Sequence, residues 1–142
     1  PGGDARVEVM HAPTMNEATA YGSTFSRGMK VQVPGRTTAY VSGTASIDTA
    51  GRVMHEGDPA AQIHRMFDNV EALLSVSHAG FGDFVSAITY LKAPESLDLF
   101  HAIWAERGLP QDIPNTITVA DVCRPEWLCE IEGIAVFPET QS

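Results

Sequence analysis

Two glutamates carry the strongest chemical signal in this chain. Glu130 and Glu132 lie in Leu128-Cys129-Glu130-Ile131-Glu132-Gly133-Ile134-Ala135-Val136-Phe137, an otherwise apolar segment. Alternate side chains of an extended strand share a face, so both carboxyls stand with Ile134 and Val136. Apolar surroundings disfavour the charged form of a carboxyl, raise its pKa and suit it to exchange protons near neutral pH. Two acids on a wetted sheet edge, or paired with arginine, would show the same pattern. A second candidate is Val41-Ser42-Gly43-Thr44-Ala45-Ser46, where a strand runs out into small residues. Closely approaching amides and hydroxyls there can hold a carboxylate or an oxyanion, although a plain strand exit has the same composition. The segment is not a Gly-x-Ser-x-Gly elbow, and no glycine-rich phosphate loop occurs. Arg27 and Arg124 present planar forks that match carboxylate oxygens, and each alone also reads as half of a surface ion pair. The five histidines are scattered without a His-x-x-x-His pair, so no metal is expected, and no cofactor. Cys123 and Cys129 are too few for a disulfide framework or a four-ligand zinc site. Cys123 reads as a buried strand residue.

The rest of the 142-residue chain is built to position such groups. Its length suits a single domain over residues 1–142, with loose ends at 1–5 and 139–142. Hydrophobic residues at 44% and charged ones at 19% exclude a disordered tail or a fibre. Nine Lys+Arg against eighteen Asp+Glu give −9, which argues against a nucleic-acid partner, since phosphates need a basic face. No apolar run approaches the 18 or so residues of a membrane span, and no charged-then-apolar leader is visible. The unpaired cysteines point to a reduced, cytoplasmic setting.

Alternation and punctuation divide the chain into elements. Arg6 to Met10, Arg27 to Val33 and Thr38 to Ser42 read as strands, the last two joined as a hairpin at Pro34-Gly35-Arg36. Ile63, Met66, Phe67, Val70, Leu73 and Leu74 recur at helical spacing. Asp58 is placed as N-cap, Pro59 at the first helical position and Gly80 as a left-handed stop. A strand over Asp83 to Lys92 is followed by a helix opening at Pro94 with the stripe Leu97, Phe100, Ile103 and Trp104, ended by Gly108. Strands Asn115 to Val122 and Trp127 to Phe137 close the chain. The order β, ββ, α, β, α, ββ predicts an α+β layer pair, a mixed sheet of five or six strands with two helices on one face. Yet the strand at 84–91 is apolar on both sides: Val85, Ala87 and Leu91 on one, Phe84, Ile88 and Tyr90 on the other. Self-association is the economical way to cover the second face.

Tyr40-Val41-Ser42-Gly43, Gln62 through Asn69-Val70-Glu71-Ala72-Leu73-Leu74, Val85 to Leu91, and Glu130-Ile131-Glu132-Gly133-Ile134-Ala135 together resemble the RidA/YjgF family over residues 25–137. The resemblance implies a chorismate-mutase-like α+β fold and a homotrimer whose sheets face an inner barrel, with clefts between subunits. Many members hydrolyse reactive enamines and imines, using an Arg for the substrate carboxylate, a Ser-Gly turn and a water-holding Glu. Ser42, Gly43 and Glu130 match that pattern. Asn115 occupies the place of the Arg, Phe25 that of a Tyr, and Trp104 that of an Asn. Some members are described as ribonucleases, a role that the −9 charge disfavours.

Tyr21-Gly22-Ser23-Thr24-Phe25-Ser26-Arg27, Ser42-Gly43-Thr44-Ala45-Ser46-Ile47, His55 with Gly57-Asp58 and Gln62, and Ala120-Asp121-Val122-Cys123-Arg124-Pro125-Glu126-Trp127-Leu128-Cys129-Glu130 also resemble the carboxy-terminal half of chorismatases. These enzymes split chorismate and release pyruvate. A Cys seven residues before the catalytic Glu fits Cys123 and Glu130. This likeness implies that Glu130 is the acid/base acting on a small anionic metabolite. It also implies that Arg27 and Arg124 hold substrate carboxylates, and with the small-residue turn and the RidA pattern the candidate substrate-binding residues are Arg27, Ser42, Gly43, Thr44, Tyr90, Asn115, Cys123 and Arg124. An imine deaminase and a non-catalytic ligand- or partner-binding trimer are the alternatives.

Overall fold

The computed structural model describes residues 4–16 and 26–138. Six strands form one sheet: β1 (Arg6–Met10), β2 (Gly28–Val33), β3 (Arg36–Thr44), β4 (Phe84–Leu91), β5 (Asn115–Val119) and β6 (Cys129–Phe137), in the order β1-β2-β3-β6-β4-β5. Among the described residues, only β4 and β5 pair in parallel, with Ala87 opposite Asn115, as a crossover through a helix requires. The helices are α1 (Pro59–Ser75) and α2 (Ser96–Glu106), and both lie on one face. The mixed sheet with two helices is therefore the expected α+β architecture. Among the described residues, no helix is long and apolar enough to cross a membrane.

Helix α1 follows its sequence signals closely. Asp58 accepts the Ala61 amide at 3.0 Å, Pro59 opens the helix, and all six stripe residues are buried. The stop differs. His78 takes the left-handed conformation (φ 59°), whereas Gly80 is extended and begins a turn of 3-10 helix at Phe81–Asp83. Helix α2 starts at Ser96, two residues after Pro94, and Gly108 (φ 68°) follows its end. Ser96, not Leu97, shares the buried face with Phe100, Ile103 and Trp104, because 96, 100, 103 and 104 are one helical stripe. Phe67, at the middle of the core, meets Phe81, Phe100 and Trp104 edge-on at 5.5–5.6 Å.

Strand β4 corrects the face assignment. A register shift lies between Phe84 and Ser86, so Phe84 joins Ala87, Thr89 and Leu91 on the helix side while Val85 turns outward. Ile88 and Tyr90 face away from the helices, as expected. Strand β5 is shorter than Asn115 to Val122 and β6 begins at Cys129, which leaves 120–128 as a loop. Cys123 is accordingly exposed on that loop rather than buried in a strand.

Candidate functional site

The site is built at an irregularity between β3 and β6. Their pairing runs regularly from Thr37 opposite Phe137 to Val41 opposite Gly133, then slips so that Thr44 faces Ile131. Ser42 and Gly43 bulge out of the ladder, a device that re-aims neighbouring groups. The Glu130 carboxyl fills the space so created: a Cβ on Gly43 would lie 2.8 Å from its Oε1 and 2.9 Å from its Cδ. Any side chain at position 43 would push the carboxyl out of this place.

Glu130 is half-buried on the sheet face opposite the helices. Burial raises its pKa above the usual carboxylate range, and the charge of Glu132 raises it further. Tyr90 stands opposite Glu130 in the β4–β6 ladder, and its hydroxyl donates to Glu132 Oε1 at 2.5 Å. That hydrogen bond, more than burial, pushes the phenol pKa up and keeps it protonated. A concavity of about 360 Å³ opens alongside, lined by Tyr40, Ser42, Ser86, Ile88, Glu132 and Ile134 among others. The arrangement combines a carboxyl biased towards its protonated form with a second acid whose oxygen is held by a phenol. Such a pair can deliver a proton to a bound carbon or nitrogen.

Arg27 touches this region through its main chain, whose carbonyl accepts the Ser42 amide at 3.1 Å. Arg27 is only 2% exposed, and its guanidinium donates to the main-chain oxygen and Oδ1 of Asn16, both at 3.0 Å. Arg124 donates to the Gly51 carbonyl at 2.9 Å and lies over the Trp127 ring at 4.9 Å. Thr44 is buried with its hydroxyl on the Ser42 carbonyl at 2.9 Å, so it braces the bulge rather than presenting a donor to the cleft. Asn115 is not brought to Glu130. Its Oδ1 accepts from the buried Thr89 hydroxyl at 3.0 Å, on the helix side of the sheet. Tyr21 to Phe25, the aromatic-flanked part of the first chorismatase-like motif, lies outside the described residues.

The family model described as endoribonuclease L-PSP matches residues 15–137. The chain belongs to this family, RidA/YjgF. It is 31% identical to the 3-hydroxybenzoate synthase of Streptomyces hygroscopicus over 136 residues, which cover 88% of this chain and 37% of that protein. A solved chorismatase superposes with TM-score 0.81 at 24% identity, covering 92% of this chain and 44% of its own. RidA from the Antarctic bacterium Psychrobacter sp. matches with TM-score 0.74 at 20% identity, over 92% of this chain and 99% of that one. Both superpositions establish the RidA fold. The chain spans well under two-thirds of the synthase and of the chorismatase.

Within this RidA frame, the residues that hold the site's supports were not singled out by chemistry in the sequence. Gln62 is completely buried; its amide donates to the carbonyls of His55 (3.2 Å) and Glu126 (2.9 Å) and accepts the Leu128 amide (2.9 Å). Asn69, equally buried, donates to the carbonyls of Ala45 and Ile47. Both lie on the buried face of α1, and an amide at a core position is the signal that would have found them.

Proposed function

We propose that this chain is a cofactor-free enzyme that acts on a small carboxylate-bearing metabolite, in a cleft on the open face of the sheet shared between subunits of a homotrimer. Glu130 supplies the proton. In enol-ether hydrolysis, its proton goes to the terminal enol carbon. Water then adds to the resulting oxocarbenium carbon, and collapse of the hemiketal releases a keto acid and an alcohol. The single observation that carries this reading is the Glu130 carboxyl laid over Gly43, half-buried and shifted towards its protonated form. Its likeness to a 3-hydroxybenzoate synthase and to a chorismatase makes chorismate the first substrate to try. Valines, Tyr40 and Ile88 exposed on the open face support the shared cleft. A charge of −9 speaks against RNA as the substrate despite the family's description. Unpaired Cys123 and Cys129 fit a cytoplasmic setting.

The test is pyruvate release from chorismate by the parent and by Glu130→Gln. We expect the variant to lose turnover by at least about a hundredfold, as for loss of a general acid, with an unchanged circular dichroism spectrum. Equal rates in both proteins would remove Glu130 from the mechanism. A second reading, hydrolysis of an enamine or imine, is favoured by the RidA match over nearly the full length of both chains; ammonia released in place of pyruvate would decide for it. Binding of small acids without turnover of either substrate class would favour a non-catalytic binding trimer.

A further inference from the structure

An acidic chain with nine basic residues places two of them in one concavity. Lys92 and Arg124, with Asp121, Val122 and Pro125, line a space of about 390 Å³. Lys92 follows directly on β4, and its amide donates to the Leu128 carbonyl at 3.0 Å, which carries the β4–β6 ladder one step past Leu91 opposite Cys129. Alternation therefore puts its side chain on the Tyr90 side of the sheet. Two residues of strand, about 6.6 Å, separate it from the level of Glu130.

The ammonium of Lys92 donates to the Pro125 carbonyl, which uses one of its three N–H groups. Among the described residues it forms no ion pair, whereas Lys30 pairs with Glu8, Arg52 with Asp48, and Arg107 with Asp68 and Glu71. Asp121 lines the same concavity, is exposed, and is not within ion-pair distance of Lys92. The Arg124 fork is aimed by its bond to Gly51 and its stacking on Trp127. Arg27 is committed to Asn16, and Asn115 faces the helices. Lys92 thus adds a cation to the open face, one strand-repeat from the level of Glu130.

We infer that the concavity between Lys92 and Arg124 is the seat of the substrate's carboxylate, and that Lys92, which no motif singled out, sets the preference for an anionic substrate. The inference rests on reading the open-face cleft as the active site. An anion seated there is kept one strand-repeat away from Glu130 and two from Glu132, which leaves the reacting end of a small molecule over the acid. The ammonium supplies a point charge and the guanidinium a directional fork.

The probes are benzoate and benzamide, matched in shape and different in charge, titrated by NMR into the parent, Lys92→Met, Lys92→Arg and Arg36→Gln. Arg36 is exposed at the far end of β3, so its loss controls for net charge. The parent is expected to bind benzoate about tenfold more tightly than benzamide, in line with a charge-assisted hydrogen bond. Lys92→Met should bring that ratio to within about twofold without weakening benzamide, while Lys92→Arg and Arg36→Gln keep it. Equal affinity of the parent for both probes overturns the inference, as does a preference that survives in Lys92→Met. Parallel loss of both ligands in Lys92→Met also overturns it, because a residue that merely staples the loop would act that way. No turnover is involved, so a Glu130→Gln variant that stays active would sink the catalytic reading and leave this result standing.

Discussion

The raised pKa of Glu130 comes from what its neighbours lack as much as from what they provide. Gly43 has no side chain, so the carboxyl lies against backbone and loses water, and burial is the larger cause of its raised pKa. Glu132, two positions along the same face, adds like-charge repulsion. A general acid works only while protonated, so turnover should fall as pH rises through the raised pKa of Glu130. Glu132→Gln removes the repulsion, lowers that pKa and moves the alkaline fall to lower pH, which a pH–rate profile reads directly. Folding stability follows the same sign. A group whose folded pKa lies above its unfolded value, near 4.5 for glutamate, contributes fully below that value and loses its contribution as pH rises through the folded pKa. Urea midpoints of the parent should therefore fall, relative to those of Glu130→Gln, from about pH 4.5 upward. A flat difference across that range would mean that the carboxyl is fully hydrated. The face shared by Glu130, Glu132, Ile134 and Val136 was legible from period-two alternation alone. The commitment of Arg27 to Asn16 was not, since residue type says nothing about which partner reaches a guanidinium first.

At the level of elements, the helices and the hairpin were readable because capping, turn chemistry and apolar spacing are local. The departures are non-local. Bulges at Val41/Thr44 and Phe84/Ser86 are set by how β6 packs between β3 and β4. A Cβ on Gly133 would come within 2.5 Å of the Phe84 ring and 2.8 Å of the Ser86 carbonyl, so close strand approach there depends on glycine. Alternation counted through Val85 puts it on the wrong side of the sheet for this reason. Helix α1 does more than cover the sheet. Gln62 ties the carbonyls of His55 and Glu126 and the Leu128 amide to the helix, and thereby fixes the loop that carries Arg124 into β6. Gln62→Met keeps the volume but strands those backbone groups in a buried site. It should cost about 3 kcal/mol in denaturant unfolding, since each unsatisfied buried group costs roughly 1–3 kcal/mol. A loss below about 1 kcal/mol, the contribution of an ordinary exchanged hydrogen bond, would show that water replaces the amide there.

Among the described residues, the sheet has one face covered by helices and one that none covers. Val7 (62% exposed), Tyr40 (48%) and Ile88 (38%) come from three different strands and point the same way, with Met29 and Val31 between them in register. An apolar surface of this continuity on a folded chain marks an interface. Helix packing cannot hide it, because both helices are engaged on the other side. Sedimentation equilibrium should give three times the mass of one chain, and Ile88→Asp should give single chains that remain folded. Each copy carries −9, so assembly works against its own charge, and added salt should tighten it as the Debye length falls to about 8 Å near 0.15 M. A cleft shared between subunits adds a kinetic consequence. Specific activity should fall on dilution in step with the dissociation of the assembly, and Ile88→Asp should be inactive although its Glu130 is untouched. Full activity in a dissociated chain would place the reaction within one subunit, where the approximately 360 Å³ concavity beside Glu132 would have to serve alone.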